Sequence, residues 1–148
     1  MLDKYIELAY SEALKAKDKN EVPVGAVIVK DGIVLAKAHN LRITKSNALY
    51  HAETMAIEKA CKMLASWRLD GCVLYTTLEP CIMCAGAILQ SRMEKVVFTS
   101  LDAKFGCVVS QYTLFDDNLL GHRVSYEYRE DIRSKLLLQE FFKDLRKN

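Results

Sequence analysis

Residues 73–90 read Val73-Leu74-Tyr75-Thr76-Thr77-Leu78-Glu79-Pro80-Cys81-Ile82-Met83-Cys84-Ala85-Gly86-Ala87-Ile88-Leu89-Gln90, and the change of character inside this stretch decides the fold. Val73 to Thr77 is a short run rich in β-branched and aromatic side chains, which predicts a buried strand. Cys81 to Gln90 predicts a helix, and Pro80 suits its start because the missing N–H has no partner to lose there. Working outward, Val24 to Val29 and Ile33 to Ala38 are strand-like runs joined through Lys30-Asp31-Gly32, a hairpin signal. About Ala52 to Leu64 reads as a helix, Val96 to Thr99 as a strand, the region near Arg123 to Tyr126 as a further strand, and Ile132 to Leu145 as a terminal helix. Leu2, Tyr5, Ile6, Ala9 and Ala13 recur at helical spacing, so residues 2 to about 18 should form an amphipathic helix. Strands alternating with helices imply a layered α/β domain around a mixed sheet, with both cysteine- and histidine-bearing helix starts at one end of it.

Composition agrees with this reading. A chain of 148 residues, 51% of them hydrophobic, can bury a sizeable core as one domain spanning 1–148. The net charge of +2 does not announce a nucleic-acid binder, although residues 32–51 carry Lys37, Arg42 and Lys45 and no acid. No apolar run is long enough for a membrane span, and Met1-Leu2-Asp3-Lys4 leads into an amphipathic pattern instead of a signal peptide; a cytoplasmic protein is expected. With two of the five cysteines given to a metal, Cys61, Cys72 and Cys107 read as small packed thiols. His39 and His122 have no partner at ligand spacing and read as structural or surface residues.

Two short motifs carry chemistry. His51-Ala52-Glu53 and Pro80-Cys81-Ile82-Met83-Cys84 together offer three zinc ligands, His51, Cys81 and Cys84, and leave one carboxylate over. A closed structural zinc site takes four protein ligands, whereas a hydrolytic one keeps a position for water. Zinc brings the pKa of its water toward ~7, so hydroxide becomes available near neutrality. Spacing of three puts both sulfurs on one helix face, where the helix N-terminus favours the thiolates. Glu53 is then free to move protons. A lone C-x-x-C also occurs in redox motifs and in structural zinc sites; H-x-E some thirty residues upstream is what favours catalysis, and the combined pattern is the signature of zinc-dependent nucleobase deaminases.

Beyond these motifs, the chain resembles the bacterial tRNA-specific adenosine deaminases of the cytidine deaminase-like superfamily. The resemblance runs from Glu21-Val22-Pro23-Val24-Gly25-Ala26-Val27 through Asn40, His51-Ala52-Glu53, residues 77–87 and Asp102-Ala103-Lys104 to Phe141-Phe142. It implies a three-layer α/β/α domain with about five strands in a mixed sheet, one Zn2+ per chain and a homodimer. It implies hydrolytic conversion of adenosine to inosine at the wobble position of a tRNA anticodon, that of an arginine tRNA, by hydroxide attack at C6 with Glu53 as proton shuttle. Asn40 and the backbone amide of Ala52 would hold the flipped-out base. Asp102 and Lys104 would touch the anticodon backbone, while Phe141, Phe142, Lys143 and Arg146 would line the path of the splayed loop. Asn47-Ala48-Leu49-Tyr50 departs from the Asp-Pro-Thr-Ala that many members carry before the zinc histidine, which leaves the role of Tyr50 open.

Two other functions fit parts of the pattern. A free purine or pyrimidine base or nucleotide deaminase, acting on guanine or a cytosine compound, would use the same zinc chemistry, but Asp102-Ala103-Lys104 and the terminal Phe-Phe helix argue against it. A non-catalytic, zinc-stabilised RNA-binding module would have no use for Glu53.

Overall fold

The computed structural model describes residues 3–147, so the expected helical position Leu2 lies outside the described residues. Chain order is α1 (Lys4–Asp18), β1 (Gly25–Lys30), β2 (Ile33–His39), α2 (Ala52–Leu64), β3 (Val73–Thr76), α3 (Ile82–Gln90), β4 (Lys95–Phe98), β5 (Ser125–Tyr128) and α4 (Ile132–Arg146). The five strands form one sheet in the order β2-β1-β3-β4-β5. β1 is antiparallel to both β2 and β3, whereas β3, β4 and β5 run parallel.

The hairpin follows from its turn. Asp31 and Gly32 both take positive φ, 51° and 78°, the pair of conformations that a two-residue turn matched to strand twist requires. Parallel strands cannot be joined so tightly; they need crossovers, and α2 carries the chain from β2 to β3, α3 from β3 to β4, and residues 99–124 from β4 to β5. Because β2 and β3 both oppose β1, they point the same way. α2 leaves the C-terminal side of β2, α3 leaves that of β3, and their N-termini therefore emerge at the same end of the sheet.

Side chains alternate between two covered faces. Ala26, Ile28, Leu74, Val96 and Phe98 face Ala52, Ala56 and Ala60 of α2 and Ala85, Ile88 and Leu89 of α3. Val27 and Val29, on the other face, meet Ala9, with Tyr5, Leu8 and Tyr75 packed against them. Helices on both faces of one sheet make three layers, as the resemblance implied. α4 is capped by the Asp131 carboxylate, which accepts from Arg133 N, and is tied to α1 through Arg133–Glu7, while Arg129 pairs with Asp3. The last strand lies two residues beyond the stretch that sequence suggested, since its ladder pairs Ser125 to Tyr128 with Lys95 to Phe98. Two short 3-10 turns, Leu114–Asp116 and Asn118–Leu120, were not expected.

Candidate active site

The shared end of the sheet brings the two motifs together. His51 is the N-cap of α2 and Cys81 the N-cap of α3, positions usually given to Ser, Thr, Asp or Asn so that the side chain can cap the helix. Neither side chain caps here; both are turned to each other. His51 Nδ1 lies 3.6 Å from Cys81 Sγ and 3.5 Å from Cys84 Sγ. All three ligand atoms lie within 4.8 Å of one another, a group that can hold a metal ion. Helix α3 starts one residue later than expected, so Cys84 sits in its first turn.

Electrostatics argue for a cation at this point. Donation from Cys84, against the cost of burial, holds the Cys81 thiol down to about 4. Cys84 itself is pushed up, because it donates to Cys81 and is buried. The Cys81 sulfur, outweighing burial, raises His51. Two sulfurs this close in a buried place share one proton unless a positive ion relieves their repulsion, and the donor set of one imidazole and two thiols suits such an ion.

Glu53, one residue inside α2, is 4% exposed. Burial, only partly offset by the nearby His51, pushes its carboxyl up to about 7. A group with that pKa both takes and gives protons at neutral pH.

The motifs sit at the base of a cleft of about 1420 Å³. His51, Ala52, Glu53 and Cys81 line it, as do Asn40, Asp102 and Lys104. Phe142, Lys143 and Arg146 reach it from α4, whereas Phe141 does not line it. Phe141 is half-buried and meets the exposed Phe142 ring edge-on, with centroids 5.4 Å apart and planes at 81°. The two phenylalanines therefore separate: one packs, the other faces the cleft. Asn40 is buried; one of its N–H groups reaches Val22 O at 3.3 Å and its carbonyl accepts from Arg42 N at 3.1 Å. That leaves one donor and one lone pair for another molecule. Ala52, first residue of α2, presents an N–H that no carbonyl within its helix can take. Asp102 accepts from Lys104 N and Phe105 N, so much of its carboxylate shapes its own turn.

Tyr50 is half-buried and does not line the cleft; its carbonyl accepts from Leu41 N. His39 is held between Glu12, at 2.9 Å, and Lys19, at 3.0 Å, and His122 bonds Met93 O, so both are structural. Cys72 and Cys107 are buried free thiols and Cys61 is half-buried.

Two buried glutamates were invisible as site residues in the sequence. Glu21 accepts from Ile43 N at 3.1 Å and Thr44 N at 2.5 Å, fixing the loop that follows Asn40. Glu79 gathers a larger set of donors from residues 102–110. Burial opposes its ionisation, but the Ser110 hydroxyl and the N–H groups of Val109, Ser110 and Asp102 outweigh it and hold the carboxyl below its ordinary value. A glutamate with no partner near in sequence gives no local signal of this role.

A histidine and two cysteines gathered at paired helix N-termini can hold a metal ion, and a proton-holding carboxyl stands beside them, the equipment that hydrolytic deamination requires. The chain belongs to the MafB19-like deaminase family, whose model matches residues 2–146, and to the tRNA-specific adenosine deaminases. A tRNA-specific adenosine deaminase of Aquifex aeolicus (strain VF5) is 49% identical over 144 residues, covering 97% of this chain and 95% of that protein. A structure from studies of A-to-I editing by tRNA:A34 deaminases at the wobble position of transfer RNA superimposes with a TM-score of 0.85 at 36% identity, over 93% of this chain and 98% of the other. Guanine deaminase from Bacillus subtilis is more distant, with a TM-score of 0.65 and 30% identity over 97% and 95% of the two chains.

Proposed function

We propose that this protein hydrolyses adenosine to inosine at the wobble position of a tRNA anticodon, that of an arginine tRNA, using one zinc ion held by His51, Cys81 and Cys84. The observation that carries the proposal is the convergence of these three ligands and Glu53 at the base of a cleft far larger than a base. Tetrahedral coordination with Zn–S near 2.3 Å and Zn–N near 2.0–2.1 Å separates sulfur from nitrogen by about 3.5–3.6 Å. The spacings of 3.5 and 3.6 Å from His51 Nδ1 match that figure. When bound, zinc supplies the Lewis acidity that brings a water's pKa toward about 7.

The chain's own groups do the rest. Glu53 takes a proton from the attacking water, delivers it to the ring nitrogen beside C6, and then assists departure of ammonia as C6 becomes a carbonyl. Asn40 offers its spare donor and lone pair to the purine edge, aided by Ala52 N–H. Asp102 and Lys104 meet the anticodon backbone, Phe142 offers a stacking face, and Lys143 and Arg146 meet phosphates. Phe141 supports Phe142 from behind. The same proposal includes a homodimer, because Met83, Gly86 and Ala87 of α3 are only partly covered within the chain, and a second copy would cover them. It also includes a cytoplasmic location, where tRNA is found; among the described residues no helix is long and apolar enough to cross a membrane.

The guanine or cytosine alternative is less well supported. Pockets for small ligands measure about 300–1,000 Å³, and the cleft here, at about 1420 Å³, exceeds them. Its rim carries Arg42, Lys104, Lys143 and Arg146, a gathering of cations that a neutral base does not need. Cys81→Ala and Cys84→Ala test the assignment: each should lose zinc and tRNA deamination together, and a variant that stays fully metallated removes that residue from the ligand set.

A further inference from the structure

Residues 101–105 line one wall of the cleft and open a segment, 101–111, that has no strand or helix of its own. Their shape is imposed by one buried carboxylate. Glu79, 1% exposed, accepts from Asp102 N at 3.1 Å and from the Ser110 hydroxyl through Oε1, and from Val108, Val109 and Ser110 N–H at 3.1, 2.9 and 2.9 Å through Oε2. Four backbone donors and one hydroxyl, drawn from both ends of the loop, converge on one carboxylate. Charge-assisted bonds of this kind are about twice as strong as neutral ones.

Gly106 makes the approach possible. A Cβ there would lie 2.3 Å from the Glu79 carboxyl carbon, so no other residue lets the chain pass at this height. Between the two anchored ends, Ala103, Lys104 and Phe105 are exposed toward the cleft. The anchor is also close to the metal ligands in sequence. Glu79 precedes Pro80 and Cys81, and Pro80 O accepts from Cys107 N at 2.9 Å. The wall is thus held in register with the start of α3.

We propose that Glu79 is a positioning residue for substrate recognition: by gathering the amides of residues 102–110 it sets Asp102 to Phe105 at a fixed place relative to Cys81, and so fixes where the nucleotides flanking the reacting adenosine lie. The proposal rests on the tRNA-editing reading. Glu79 is 1% exposed and both its carboxylate oxygens are taken by residues 102–110, so it acts through the loop.

Glu79→Gln and Gly106→Ala test it. In the first, whichever way the amide turns, its NH2 confronts at least one backbone N–H; in the second, the added methyl drives the carboxylate from its amides. Zinc-loaded wild-type and variant proteins are compared on an anticodon stem-loop by steady-state kinetics, with zinc content and amide hydrogen exchange measured alongside. Expected for both variants is a KM raised about tenfold or more, a kcat within roughly threefold, unchanged zinc content, and exchange at Val108 to Ser110 accelerated by at least about tenfold. Loss of zinc and kcat with KM unmoved would overturn the proposal, making Glu79 a support of the metal helix. So would wild-type kinetics and exchange in Glu79→Gln. Wild-type protein inactive on the stem-loop would instead overturn the tRNA reading, and the recognition role with it.

Discussion

Glu53 and Glu79 are two glutamates lining the same cleft, 4% and 1% exposed, yet their carboxyls move in opposite directions. Glu53 is pushed up to about 7 because burial dominates its surroundings. Glu79 is equally deprived of water but is met by backbone N–H groups and a hydroxyl, and it stays below the ordinary carboxylate value. Burial alone yields a group that holds a proton it can surrender; burial with matched donors yields a fixed anion around which a loop is built. The cleft holds one of each, and the roles proposed for them follow: the first for chemistry, the second for shape.

The largest expected effect tests the floor. Glu53→Ala should lower kcat by about 10²–10⁴ or more while keeping one zinc per chain, because proton transfer is lost and no ligand is; zinc analysis of the purified variant checks this, and release of metal would make Glu53 a ligand. Next comes the rim. Phe142→Ala should weaken stem-loop binding by about 1–3 kcal/mol, the value of one stacked base, while Phe141→Ala should chiefly cost stability, about 1–2 kcal/mol for a half-buried ring. Paired binding and melting measurements that give the reverse order would exchange the two roles. Removing Lys104, Lys143 or Arg146 should reduce the slope of log affinity against log salt by about 0.7 each, as expected for a lost contact to single-stranded phosphate.

The smallest effect sharpens the contrast between the two kinds of buried carboxylate. Glu21 resembles Glu79, since bonds from Thr44 and Ile43 outweigh its burial and hold its carboxyl below 4.5. A carboxyl lowered by folding stabilises fully above its unfolded value and loses that contribution as pH falls through its folded value. Glu21→Gln should therefore cost about 1–3 kcal/mol at pH 7 and progressively less as pH falls below about 4.5. Denaturant titrations across that range would show the gap closing; a constant gap would mean that packing, not charge, holds the loop after Asn40.

Much of this architecture was legible because it is local. The hairpin at Asp31-Gly32, the strand-to-helix change around Pro80, and the pairing of H-x-E with P-C-x-x-C each sit within a few residues, and the order of elements places both helix starts at one end of the sheet. Long-range anchoring was not legible. Nothing near Glu79 in sequence announces that its partners lie 23–31 positions away, and Glu21 meets Ile43 and Thr44 across 22–23. The Phe141-Phe142 pair shows a middle case: the sequence pointed to the cleft, but only the rotation of α4 separated the ring that faces it from the ring that supports it. The place of β5 also depended on register with β4, which its own residues do not encode.

The central claim is tested most directly by incubating the zinc-loaded protein with an anticodon stem-loop of an arginine tRNA and, in parallel, with free adenosine, guanine and cytidine, reading each product by mass spectrometry. The expected result is inosine at the wobble position of the stem-loop, with kcat/KM exceeding that for any free base or nucleoside by at least about 10³, as binding energy drawn from flanking nucleotides would give. Efficient conversion of guanine or cytidine with the stem-loop left unchanged would contradict it.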